Sequence, residues 1–163
     1  MIIDLQNQLA DAVAITTATT TVSTNTLDLL RALNGIGDGE PMAVVFTVEG
    51  NGSVATTGAD FTTTDETYTF ELITSAAANL SSPTVISSRA VSAAGTATEG
   101  GTSLLALGRR VVMNIPMDAV KERYFGSQIV TAGTSPGLTY SANIVPLSFV
   151  QNNGVYADGI TIS

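Results

Sequence analysis

The sequence predicts an all-β chain: a single-domain jelly-roll or β-sandwich of about eight antiparallel strands, with an N-terminal arm and a C-terminal tail. Three observations predict it. Thr and Val are abundant while Asp, Glu, Lys and Arg make up only 12% of the chain, about half the share usual in soluble proteins. A branched Cβ suits a pleated, half-buried surface, so this substitution of Thr for charge biases the chain to strands. The apolar runs are short and bounded by Gly, Pro and Ser clusters, and residues 67–74 alternate with a period of two. Eight strands in two sheets is the jelly-roll number. At 163 residues the chain is expected to form one domain, 1–163, with 1–25 as arm or first segment and 151–163 as tail.

Taken in order, residues 1–15 are ambiguous. Ile2, Leu5, Leu9 and Val13 recur at helical spacing and Asp4 could cap. The segment then runs into Thr16-Thr17-Ala18-Thr19-Thr20-Thr21, which no helix favours, so an extended arm is expected, with a short helix as the alternative. Residues 26–30 read as a first strand. Turn residues crowd 34–41. Residues 42–48, MAVVFTV, are a nearly continuous apolar run, as a strand buried in a sandwich would show.

Residues 53–65 read as a loop. In 67–74, Tyr68, Phe70, Leu72 and Thr74 face one way and Thr69, Glu71 and Ile73 the other. Strands are also expected at 84–88, 104–107, 111–115 and 123–132, the last bulged at Gly126. Residues 138–150 read as one long strand, bent or placed at an edge by Pro146. Within the tail, Ile160-Thr161-Ile162 is strand-like.

The chemistry is sparse. The chain holds no His and no Cys, which excludes Ser-His-Asp and Cys-His triads, His-rich zinc sites, thiolate metal sites and disulfides. Carboxylate pairs are available at Asp65 with Glu66, at Asp38 with Glu40, and at Glu71 with a cross-strand partner. Sugar-cleaving clefts add stacking aromatics to such a pair, and here there is no Trp and aromatics are 6%. The glycines at 35, 37 and 39 follow G-x-G-x-G spacing and lead into a strand, whereas a phosphate loop needs G-x-G-x-x-G and a helix. The acids beside them, Asp38 and Glu40, are too few for calcium. Lys121 reads as a solvated lysine. The chain is therefore expected to be no enzyme and to hold no cofactor and no metal.

Charge narrows the partners. Fourteen acidic residues against six basic ones give a net charge of −8, the wrong sign for nucleic acid. The one adjacent basic pair, Arg109-Arg110, reads as a solvated strand end. The N-terminus lacks the basic start of a signal peptide and no stretch reaches the ~18 apolar residues of a membrane span. We therefore expect a protein made in the cytoplasm of its host cell, with no membrane partner. Low charge leaves sheet edges poorly defended, which suits a chain whose edges are covered by partner subunits.

Several stretches, in this order, carry a resemblance. They are Met1-Ile2-Ile3-Asp4 with Gln6 and Gln8-Leu9-Ala10-Asp11-Ala12, then Thr20-Thr21-Val22-Ser23-Thr24-Asn25-Thr26-Leu27-Asp28-Leu29. Next come Phe70-Glu71-Leu72-Ile73-Thr74-Ser75 leading to Leu80-Ser81-Ser82-Pro83-Thr84, and Ile115-Pro116 followed by Glu122-Arg123-Tyr124. Together they resemble the jelly-roll capsid cement (decoration) proteins of short-tailed bacteriophages. The resemblance implies a homotrimer on the outer capsid surface of the virion, bound to the major capsid protein across capsomer seams. It carries over no catalytic residue; Pro116, Arg123 and Tyr124 match as framework positions. The loop at 53–65 and the tail 151–163 depart from the family's pattern.

Partner contacts are expected at Ile2, Ile3, Leu5 and Leu9, because an apolar arm left free is a liability, and at Tyr156. Tyr124, Tyr140 and Tyr156 are each readable as an interface anchor or, more plainly, as a half-buried sandwich residue. Two rival classes remain: a phage surface adhesin or carbohydrate-binding module, which calls for an aromatic-lined groove, and a secreted binding module, which calls for a leader or disulfides.

Overall fold

The computed structural model of the chain describes residues 7–29, 41–52, 59, 65–92, 98–99, 102–103, 105–116, 120 and 122–152. Eleven strands and one short helix lie among them. The strands are β1 (Gln8–Ile15), β2 (Thr20–Val22), β3 (Leu27–Asp28), β4 (Met42–Gly50), β5 (Thr67–Ser75), β6 (Thr84–Ser92), β7 (Thr98–Glu99), β8 (Thr102–Ser103), β9 (Arg110–Asn114), β10 (Tyr124–Ala132) and β11 (Leu138–Pro146), and the helix is α1 (Leu147–Asn152). One sheet has the order β1-β11-β4-β9. The second has the order β2-β10-β5-β6, with β3 also on β10, and β7 pairs with β8 alone. All the pairings are antiparallel.

Leaving out β3 and the small β7–β8 pair, the eight remaining strands fall in the first sheet as first, eighth, third and sixth. In the second sheet they fall as second, seventh, fourth and fifth. Successive strands thus pass from one sheet to the other at every connection except β5–β6. This is the jelly roll.

The period-two alternation of the sequence becomes the core. Tyr68, Phe70 and Leu72 of β5 and Val44, Phe46 and Val48 of β4 are all buried, facing each other across the sandwich. Phe46 meets Phe70 edge to face, with ring centroids 5.1 Å apart and planes at 63°, a geometry that aligns the positive ring edge with the negative face. Tyr140 of β11 tilts against Phe46 at 6.2 Å.

Within the segment expected as an arm, residues 8–15 and 20–22 are built into both sheets. β1 lies on β11, and β2 and β3 lie on β10. The helical spacing of Leu9 and Val13 comes from a bulge. The register on β11 slips twice between Gln8 and Val13, and Ala12 takes φ 46°. An extra residue in a strand disturbs its alternation. The bulge is held by the Ser141 hydroxyl, which accepts from the Ala12 N–H at 2.9 Å and donates to Glu49 Oε1 at 2.6 Å.

Other expectations are corrected too. Residues 138–150 are not one strand: β11 stops at Pro146, and residues 147–152 turn into α1. Residues 105–107 lie outside any strand, and β9 begins at Arg110. Gly126 is not a bulge, since β10 pairs with β5 without slippage from Tyr124 to Ala132. It is small because a Cβ there would stand 2.5 Å from Leu80 Cδ1 and 2.9 Å from Ser23 Oγ. The expected first strand at 26–30 is the two-residue β3, with residue 30 outside the described residues. Ile160-Thr161-Ile162 and nearly all of the 53–65 loop also lie outside them.

The corner between β10 and β11 is tightly built. Gly133 has φ 112°, and a Cβ on it would lie 2.7 Å from Glu66 Cα and 2.9 Å from Asp65 O. Tyr68 Oη donates to Gly137 O at 3.1 Å and accepts from Gly137 N at 2.9 Å, pinning the far side of the turn. Gly108 also has positive φ, at 79°, but nothing lies within 4 Å of a Cβ built on it. Gly133→Ala is expected to destabilise the chain by roughly 3 kcal/mol, through strain and backbone overlap together. Gly108→Ala should cost only about 1 kcal/mol, from the left-handed backbone alone. Denaturant midpoints of the two variants check the pair; equal losses would contradict the steric account of Gly133.

Candidate interaction surface

Several of the described carboxylates singled out from sequence are held within the fold. Asp65 Oδ2 accepts from Thr134 Oγ1 at 2.7 Å, and Glu66 is fully buried beside Gly133. Glu71 finds no carboxylate across the strand: its cross-strand neighbours are Gln128, whose Nε2 donates to Oε2 at 2.5 Å, and Ser88, whose hydroxyl donates to Oε1 at 3.5 Å. Thr84 Oγ1 donates to Glu122 Oε1 at 3.4 Å. Asp38 and Glu40 lie outside the described residues. Among the described residues no group of three acidic side chains converges as a metal site would require.

What the fold does offer is surface. The strand register lays the outer face of the second sheet in two rows. Val22, Gln128, Glu71 and Ser88 form one, and Thr20, Val130, Thr69 and Ala90 the other. Glu71 is the one charged residue among these eight positions, and Gln128 and Ser88 already bind it. Val22 is 38% exposed. Short neutral side chains on a pleated face lose little rotamer entropy when covered. Further exposed apolar side chains stand at the ends of the sandwich: Val85 at the start of β6, Leu107 before β9, and Phe149 in α1.

Beside that face, Arg123 and Asp28 form a two-pronged ion pair, with Nε to Oδ1 at 3.0 Å and Nη2 to Oδ2 at 2.8 Å. The hydrogen bonding to Asp28 raises the Arg123 pKa above its ordinary value. The guanidinium also stands 5.0 Å over the Tyr124 ring. The pair fastens β3 to the start of β10, as a framework position would.

The expected contact residues fare unevenly. Leu9 is 1% exposed and packs in the chain's own core, so its side chain is not on the surface. Ile2, Ile3, Leu5 and Tyr156 lie outside the described residues. Of the other tyrosines, Tyr124 is half-buried under Arg123, and Tyr140 is fully buried. The rows on the outer sheet face were not legible as a site, because only strand pairing brings Val22, Gln128, Glu71 and Ser88 together.

Tyr140 carries a buried hydroxyl with no hydrogen-bond partner among the described residues, and burial pushes its pKa up to about 12. The unfolded chain loses this proton near the ordinary value of about 10. The folded chain keeps it to about pH 12. The stabilising contribution is thus intact below the unfolded value and is lost as pH rises through that window. Tyr140→Phe removes both the titration and the orphan hydroxyl. It should match or exceed wild-type stability by up to about 1 kcal/mol at neutral pH, with a lead that widens above pH 10. Parallel denaturation curves for the two proteins across that range test this, and a constant difference contradicts it.

A sequence model of the family described as Bbp16 matches residues 9–144 of the chain. No curated protein matches it.

Proposed function

The chain belongs to the Bbp16 family, and on that premise we propose that it is a structural protein of the virion, a capsid cement (decoration) protein. In this reading it sits on the outside of an icosahedral phage head, binds the major capsid protein across the seams between capsomers, and stabilises the shell as a homotrimer. The act is binding, with no bond made or broken. The observation that carries the reading is the outer face of the second sheet, where six of the eight positions are short and neutral and the single charge, Glu71, is bound by the largely buried Gln128 and by Ser88. Interface cores are depleted in charge, and such a face loses little on desolvation. The sequence resemblance to jelly-roll cement proteins supports the same reading.

The mechanism follows from multivalency. A packaged head is held by many weak, repeated contacts. A three-fold subunit cluster engages several of them at once, so its effective affinity rises without new chemistry. Cyclic symmetry also covers sheet edges that this lightly charged chain defends poorly.

The test is density-gradient purification of source particles, with mass quantification of this chain against the major shell protein. A fixed ratio to the shell protein is expected, together with a trimeric mass for the purified chain by sedimentation. Trace copies that vary between preparations would reject the proposal.

A further inference from the structure

The six basic residues of the chain are unevenly used. Arg31 and Lys121 lie outside the described residues, and Arg123 is paired with Asp28. The other three, Arg89, Arg109 and Arg110, lie on or just before β6 and β9, the strands that end the two sheets. β6 ends the second sheet and β9 ends the first. The Phe46–Phe70 contact lays β4 over β5, so the strands flanking them, β9 and β6, border the same side.

The register also sets their level. Arg89 pairs with Phe70 and Arg110 with Thr47, next to Phe46, while Val48 N donates to Arg109 O at 2.9 Å. Arg89 and Arg110 are exposed and Arg109 half-exposed. None of the three forms a side-chain ion pair or hydrogen bond among the described residues. On a chain of net charge −8, this is a concentrated positive edge, and both strands there keep one side unpaired among the described residues.

We infer that this β6–β9 side is the contact for an acidic, extended segment of the shell protein, whose carboxylates meet Arg89, Arg109 and Arg110. The inference rests on the proposed function for the partner's identity. Charge chooses the occupant: the rest of an acidic chain repels an anionic surface and orients it toward this edge. Unpaired strand edges offer backbone hydrogen bonds to a protein strand, and arginine forks match carboxylates in two-pronged geometry.

A second copy is the weaker fit. Edge against like edge sets arginines against arginines. Most of the described carboxylates are also engaged within the chain: Asp28 by Arg123, Glu49 by Ser141, Glu71 by Gln128, Asp65 by Thr134 and Glu122 by Thr84. Nucleic acid calls for a longer basic track and stacking aromatics.

The experiment titrates heads stripped of this chain with full-length wild type, with the triple variant Arg89→Gln/Arg109→Gln/Arg110→Gln, and with Arg123→Gln as a control off this edge. Thermal melting confirms that each is folded. The triple variant is expected to bind at least about tenfold more weakly, with Arg123→Gln near wild type, and poly-L-glutamate should compete with wild type for the heads. Equal affinity of the triple variant and wild type overturns the inference and leaves the cement reading standing; the arginines would then only blunt the edges against aggregation. A loss of head binding that tracks dissociation of the free chain in sedimentation overturns it in favour of a second copy. Competition by single-stranded DNA as strong as that by poly-L-glutamate overturns it in favour of nucleic acid. Failure of wild type itself to bind heads rejects the cement reading and the shell partner with it; poly-L-glutamate retained by wild type and released by the triple variant would still uphold the acidic-segment contact.

Discussion

The structure depends on one constraint: in a jelly roll the chain crosses between the sheets at nearly every connection, and each crossing breaks the ladder that satisfies backbone groups. The molecule meets it with short polar side chains. Between β1 and β2 the Thr131 hydroxyl accepts from Thr19 N at 3.0 Å and lies 3.0 Å from Thr17 O and 3.1 Å from Thr19 O, while Thr131 N donates to Thr19 O at 2.8 Å. Between β2 and β3, Ser23 substitutes for a missing pair: its N–H donates to Ser127 O at 2.7 Å, and its hydroxyl accepts from Ser127 N at 3.2 Å. The Thr- and Ser-rich composition is thus in part a supply of corner fastenings, and those corners hold the sheets in the register that brings Phe46 onto Phe70.

The same constraint explains what could be read from sequence. β4, β5 and β10 were legible because each runs nine residues between turn signals, and β4 and the first half of β5 alternate with one packed face. β1 was not, because the bulge at Ala12 makes apolar residues recur at intervals that imitate a helix. α1 was missed because Leu147, Phe149 and Val150 continue the apolar character of β11. The information that ends the strand is Pro146, and a proline near a strand end admits several continuations.

Surface features were hidden for a different reason. Arg89 and the pair Arg109-Arg110 are far apart along the chain, and each alone reads as an ordinary exposed charge. Their grouping exists only in the strand order, where β6 and β9 end their respective sheets on one side. The same holds for Val22, Gln128, Glu71 and Ser88, which come from four strands. Residues expected to contact partners from sequence, such as Leu9, were selected for being apolar, and in a small sandwich apolar residues go first to the core.

In the proposed reading these two surfaces would divide the tasks of recognition. A flat neutral face contributes area that is cheap to desolvate, but it discriminates poorly between partners and between orientations. Three arginines on a chain of net charge −8 contribute little area, yet for the proposed acidic partner they would give the molecule a direction, because the acidic remainder of the chain disfavours other approaches. The arginine side lies at β6, where the neutral rows end with Ser88 and Ala90, so the two surfaces adjoin. A single encounter can therefore be oriented by the edge and then closed by the face. In that order the one charge within the face is Glu71, already hydrogen-bonded to Gln128, and the free charges stand at the rim, where desolvation penalises them less.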